Sequence, residues 1–100
     1  MVYTINERFE WDGEKAGRNA LKHGISFEMA AFTFDDPYAL ITEDHKHSGH
    51  ERRQWLIGDS GEKVLVVVFT IRQPEGNIRI VSARRANHRE RGIYEEGRRI

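Results

Sequence analysis

The sequence has no cysteine, which removes disulfides, thiolate zinc sites and a cysteine nucleophile together. Whatever chemistry the protein performs must use nitrogen and oxygen groups. It also has no apolar run near the roughly 20 residues that a membrane span requires. Its first residues, with Asn6, Glu7, Arg8 and Glu10, lack the apolar stretch of a signal peptide. A cytoplasmic protein without a membrane partner is therefore expected. Net charge is absent too, because 16 Lys and Arg balance 16 Asp and Glu. Proteins held to phosphate purely by counterion release are usually strongly basic, which argues against a simple nucleic-acid coat. No repeat, low-complexity tract or linker interrupts the chain.

What is present suffices for one folded unit. One hundred residues support a single domain spanning 1–100, with one core and little room for an elaborate buried cavity. The 38% hydrophobic content, with two tryptophans and five phenylalanines, supplies that core, and 32% charged residues solubilise it. The charges are unevenly spread. From Arg72 onward eight arginines face four glutamates, a local charge of +4, and the first 71 residues carry the compensating −4. An acidic front and an arginine-rich back can meet different partners.

Local patterns set the elements. A short strand is expected to end near Trp11, after which Asp12 caps a helix that keeps Ala16, Ala20 and Leu21 on one side and stops at Gly24. Ser26 caps a second helix, where Phe27, Ala30, Ala31 and Phe34 recur at i, i+3, i+4 and i+7 until Asp36 and Pro37 end it. Tyr38 to Thr42 reads as a strand and Glu43 to His50 as a polar loop. Gln54 to Gly58 is a further strand, closed by the turn Asp59-Ser60-Gly61. Val64 to Ile71 is almost unbroken in β-branched and aromatic residues, the mark of a central strand covered on both faces. A turn at Pro74 to Asn77 leads to a strand from Ile78 to Ala83. Asn87 and Glu90 have capping-box spacing, so a last helix is expected from about Arg89 toward Gly97. Four successive strands joined by short turns imply an antiparallel arrangement. The expected fold is α+β: a small antiparallel sheet with two N-terminal helices and one C-terminal helix.

Several segments, taken in order, resemble the BrnT family of toxins. They are Phe9-Glu10-Trp11-Asp12, Asn19 with Lys22-His23-Gly24, Ser26-Phe27-Glu28, and Phe34-Asp35-Asp36-Pro37. The series continues with Glu51-Arg52, Ile57-Gly58, Arg79-Ile80-Val81-Ser82-Ala83-Arg84, and Glu90 with Tyr94. Met29 stands where the family more often has a second glutamate. The resemblance implies a RelE-like fold, RNA cleavage without a metal or other cofactor, and inhibition of translation. It also implies neutralisation by a cognate antitoxin, typically a ribbon-helix-helix protein that binds DNA and assembles with the toxin into a larger complex.

Metal-free RNA cleavage needs a base for the 2′-OH proton, cations for the crowded phosphorane and an acid for the leaving 5′-oxygen. Arginine suits the cationic task through its planar, permanently charged fork. Strict alternation puts Arg79, Val81, Ala83 and Arg85 on one face of the last strand, and Ile80, Ser82 and Arg84 on the other. Arg72 ends the neighbouring strand and a hairpin brings it toward Arg79. Each of these arginines also reads as charge protecting a solvated sheet edge; the resemblance favours phosphate binding for the set, and Arg52 with it. Arg84, at a strand-to-helix junction, is expected to meet the scissile phosphate. Lys22 and His23 sit at a helix C-terminus, where the macrodipole alone explains cations. His23 is nonetheless the side chain best suited to proton transfer. Glu90 is read as structural, whereas Tyr94 is a candidate substrate contact as well as a candidate core residue.

His45, His47 and His50 raise a zinc alternative, but a polar loop without an evident fourth ligand is poorly preorganised. Three functions thus compete: a ribonuclease toxin, a binding module of the same fold without catalysis, and a metal-dependent hydrolase. Convergence of His23, Arg52, Arg79 and Arg84 favours the first.

Overall fold

Asp12 ends one element and starts the next: its carboxylate accepts from the backbone N–H of Glu14 at 2.8 Å and of Lys15 at 3.4 Å, capping a helix. The computed structural model, in which this cap is seen, describes residues 2–5, 8–46, 49 and 52–99. Glu51, His47 and His50 lie outside the described residues. Strands β1 (Val2–Ile5) and β2 (Phe9–Asp12) form a hairpin before helix α1 (Gly13–His23). Gly24 closes α1 in the left-handed conformation at φ 70°, its N–H bonded to the Ala20 carbonyl, as its position predicts. Ser26 caps α2 (Phe27–Phe32), which tightens into a 3₁₀ turn at Thr33–Asp35.

Strands β3 (Leu40–Glu43), β4 (Arg53–Asp59), β5 (Val64–Arg72) and β6 (Asn77–Arg85) follow, then α3 (His88–Arg98). The α3 capping box is complete: Asn87 Oδ1 accepts from Glu90 N–H at 2.8 Å and Glu90 Oε1 from Asn87 N–H at 2.9 Å.

The expected small antiparallel sheet with two N-terminal helices, and the RelE-like layout attached to it, are corrected by the topology. The sheet has six strands in the order β1-β2-β6-β5-β4-β3 and is mixed, because β2 runs parallel to β6 with Phe9 opposite Ile78 and Glu10 opposite Arg79. The helices α1 and α2 follow a strand hairpin and do not open the fold. Parallel pairing between strands this far apart in sequence leaves no turn signature, whereas the antiparallel β3–β6 run announces itself through short connections.

One sheet face carries the main core. Phe9, Trp11, Leu56, Leu65, Val67, Phe69, Ile78, Ile80 and Ala83 meet Ile25, Phe27 and Ala30 there, with edge-on aromatic pairs Trp11–Phe27 and Phe34–Phe69. Helix α1 keeps Ala16 against the core as expected but turns Ala20 and Leu21 outward. Leu21 is 91% exposed, while Asn19 is buried and bridges three backbone groups. Its Nδ2 donates to the Ile25 and Ala83 carbonyls at 2.9 and 2.8 Å, and its Oδ1 accepts from Ala83 N–H at 3.1 Å. The short β2 pairs with β6 only at Ile78 and Arg79, so this amide stands in for a neighbouring strand at Ala83.

Candidate active site

The opposite sheet face holds the charged residues, and one irregularity determines which. Val68 pairs with Ser82 but Phe69 with Ile80, so Val81 is an extra residue, a β-bulge in β6. The bulge resets the alternation. Ile78, Ile80 and Ala83 all face the core, and Arg79, Ser82 and Arg84 share the second face. Strict alternation had placed Arg79 and Arg84 on opposite faces; the extra residue is why they are not.

Cross-strand register arranges this face in rows. Arg53, Thr70 and Arg79 lie side by side on β4, β5 and β6, with Glu10 of β2 beyond Arg79. Trp55, Val68 and Ser82 form the next row, then Ile57, Val66 and Arg84. Arg72 belongs to the same face, opposite Asn77 and diagonal to Arg79. The basic surface is thus built from three adjacent strands, with an indole on β4 at the end of its middle row.

Helix α3 closes one end of this face. Arg84 grips Glu90 with both prongs, Nη1 to Oε1 at 2.7 Å and Nη2 to Oε2 at 2.9 Å. The Arg84 hydrogen bonds hold the Glu90 carboxyl below its ordinary range against the opposing effect of burial, and the same pairing raises Arg84. The Arg84 guanidinium carbon also lies 6.0 Å from the centre of the Trp55 ring. Trp55 is fixed in turn by its Nε1–H donating to Asp44 at 2.8 Å.

The remaining sequence-derived candidates are dispersed. Arg52 is exposed beside β4 and pairs with Glu43, which also accepts from Gln54; alternation puts it on the core side of the sheet edge, and Arg53 on the charged face. Tyr94 is 1% exposed, and its hydroxyl donates to Asp36 Oδ2. Burial, reinforced by the Asp36 carboxylate, pushes the Tyr94 hydroxyl up to about 12. Asp36 is held below its usual range although burial opposes it, because Asp59 N–H, Tyr94 O–H and Tyr38 N–H all donate to it. Lys22 and His23 end α1, and no described contact ties them to the arginines. His23 does lie four residues after Asn19, on the side of α1 that reaches the β6 edge at Ala83.

Sequence reasoning missed Arg53, Trp55 and Thr70. A signal existed for the first two: once Leu56 is assigned to the core, period-2 alternation sends Arg53, Trp55 and Ile57 to the other side. A depression of about 260 Å³ at Phe32, Asp35, Asp36, Asp59, Ser60 and Gly61 is rimmed by three aspartates and repels a polyanion. Among the described residues no three His, Asp or Glu side chains gather as a metal site, and no helix is long and apolar enough to cross a membrane.

Fold and surface define a small α+β protein whose sheet presents arginines and an indole on one side, chemistry suited to a phosphate-bearing strand. The sequence model of the family described as ribonuclease toxin, BrnT, of type II toxin–antitoxin system matches residues 11–90, and the chain belongs to that family. Membership in a type II system brings a protein antitoxin as partner. No curated protein matches the chain.

Proposed function

We propose that the chain, acting as one toxin domain in the cytoplasm, is a metal-independent endoribonuclease that cuts RNA on the second sheet face and so inhibits translation. The observation that carries this reading is the Val81 bulge, which puts Arg79 and Arg84 on one face with Arg72. The Arg84 guanidinium supplies the charge stabilisation that a metal would otherwise give the phosphorane, and Arg79 and Arg72 hold the RNA strand farther along the face. His23, carried toward Ala83 by the same side of α1 as Asn19, is the proton-transfer group, with Lys22 beside it. In the reaction the 2′-OH loses its proton, O2′ bonds to phosphorus, the bond to the 5′-oxygen breaks, and that oxygen takes up a proton. The products are a 2′,3′-cyclic phosphate and a 5′-OH end. Arg52 contributes from the sheet edge, and Tyr94 acts by holding α3, since its ring is buried. A cognate ribbon-helix-helix antitoxin neutralises the toxin by covering the arginine face.

The clamp of Glu90 on Arg84 favours one competing reading, a binding module of the same fold that does not cleave. Purified chain incubated with RNA and EDTA separates the two. Cleavage that persists in EDTA and falls at least about a hundredfold in Arg84→Ala is expected from loss of one electrostatic stabiliser. RNA bound but left intact would support the binding module, and cleavage abolished by EDTA would sink metal independence.

A further inference from the structure

We infer that Arg53, Thr70 and Arg79 form an oxyanion subsite, which holds a backbone phosphate of single-stranded RNA other than the phosphate met by Arg84. The inference rests on the ribonuclease reading for the identity of the ligand, but not for the existence of the site.

Thr70 is the central observation. It is 4% exposed, and its Oγ1 is buried with no hydrogen-bond partner among the described residues. Buried hydroxyls are almost always satisfied, so one without a protein partner calls for a water or a ligand to complete it. Register shows what surrounds it: Arg53 stands directly across on β4 and Arg79 directly across on β6, all three on the charged face. The register thus sets an arginine on each side of one O–H donor, and a tetrahedral oxyanion takes donors on several oxygens at once. Glu10 lies beyond Arg79 at the far end of the row from Arg53, so Arg79 stands between that carboxylate and Thr70.

Spacing separates this subsite from Arg84. Thr70 and Val66, the β5 residue opposite Arg84, are four positions apart, about 13 Å along a strand. The bidentate hold of Glu90 keeps the Arg84 guanidinium at its own end of the face, away from Arg79. The row between them contains Trp55, whose ring offers a stacking surface for a base lying between the two phosphates. The face then reads phosphate, base, phosphate, the repeat of a single strand.

The test uses the whole chain and inorganic phosphate as the probe, at ionic strength held constant with chloride. The parent melting temperature is expected to rise with phosphate. Thr70→Val, which keeps the shape and removes the hydroxyl, is expected to melt a few degrees higher without phosphate, because an unsatisfied buried group has gone. Its apparent phosphate affinity should nonetheless be about tenfold weaker, and Arg79→Ala should lose the phosphate response. A lower melting temperature for phosphate-free Thr70→Val would mean the hydroxyl is already partnered, and would overturn the inference. So would an unchanged phosphate response in either variant. RNA cleavage is measured separately: phosphate binding without cleavage sinks the enzyme reading and leaves the subsite intact.

Discussion

Arg84 and Glu90 are joined by two parallel hydrogen bonds, and Glu90 simultaneously closes the capping box of α3. One carboxylate therefore fastens the last strand to the last helix. Because Arg84 also belongs to the face proposed to bind RNA, its removal is expected to affect stability as well as cleavage. Arg84→Ala should cost about 1–2 kcal/mol, between an exposed ion pair and a fully buried one, since the Arg84 side chain is 36% exposed. Urea unfolding checks this, and a variant as stable as the parent would show the clamp to be energetically idle.

The same pair makes a pH prediction. The Glu90 carboxyl is depressed in the folded state, so its contribution is present above the ordinary glutamate value of 4.5 and is lost as pH falls through the lower folded value. Glu90→Gln should accordingly be less stable than the parent at neutral pH, with the gap narrowing in acid below about pH 4. A gap constant from pH 7 to 3 would exclude this origin.

Tyr94 offers a test at the other end of the scale. Its hydroxyl is raised from 10.0 to about 12, so the folded state keeps the proton that the unfolded chain releases. Stability from this group is full below pH 10 and drains away as pH climbs toward 12. Tyr94→Phe should lose about 1–2 kcal/mol near neutrality, through the missing bond to Asp36, and should lack the alkaline decline. Its RNA cleavage should stay near parental, as expected of a ring that positions α3 without touching substrate. Cleavage lost with stability kept would return Tyr94 to the reacting group.

Asn19 is the least replaceable polar residue of the helix layer. Asn19→Leu leaves the Ala83 N–H and C=O without their partner at a buried sheet edge, and should cost about 3 kcal/mol. Amide exchange at Ala83 should accelerate in step. A loss below about 1 kcal/mol would mean another group satisfies the strand.

The antitoxin prediction concerns coverage. If the partner blocks the arginine face, amide exchange between Arg72 and Tyr94 should slow in the complex. Protection limited to residues 1–35 would place the antitoxin elsewhere and require an indirect mode of inhibition.

Sequence legibility followed the range of the interactions involved. Caps at Asp12, Ser26 and Asn87 and the glycine stop at Gly24 depend on neighbours within four residues, and all were readable. The β2–β6 pairing joins segments almost 70 residues apart and left no local trace. The bulge at Val81 was hidden because Ile80-Val81-Ser82 reads as regular strand, so the face assignment of Arg79 came out reversed. Asn19 shows why α1 was misread: an amide that makes three hydrogen bonds can win a buried position over the nearby Leu21. Among the site residues, Arg79 and Arg84 are nameable from residue type and Arg53 from alternation about Leu56, but Thr70 becomes a candidate only once β4, β5 and β6 are aligned.

The position of β6 has a consequence for how the toxin comes into being. It is the last strand to leave the ribosome, yet it lies between β2 and β5 and joins the first hairpin to the β3–β5 run. Until residues 77–85 emerge, α1 lacks the strand that Asn19 grips, and neither Arg79 nor Arg84 has a surface to stand on. Sheets closed by distant segments form late and slowly. If the arginine face is the site of cleavage, a partly synthesised chain is unarmed by its own birth order, and an antitoxin has until the final strand docks to be waiting.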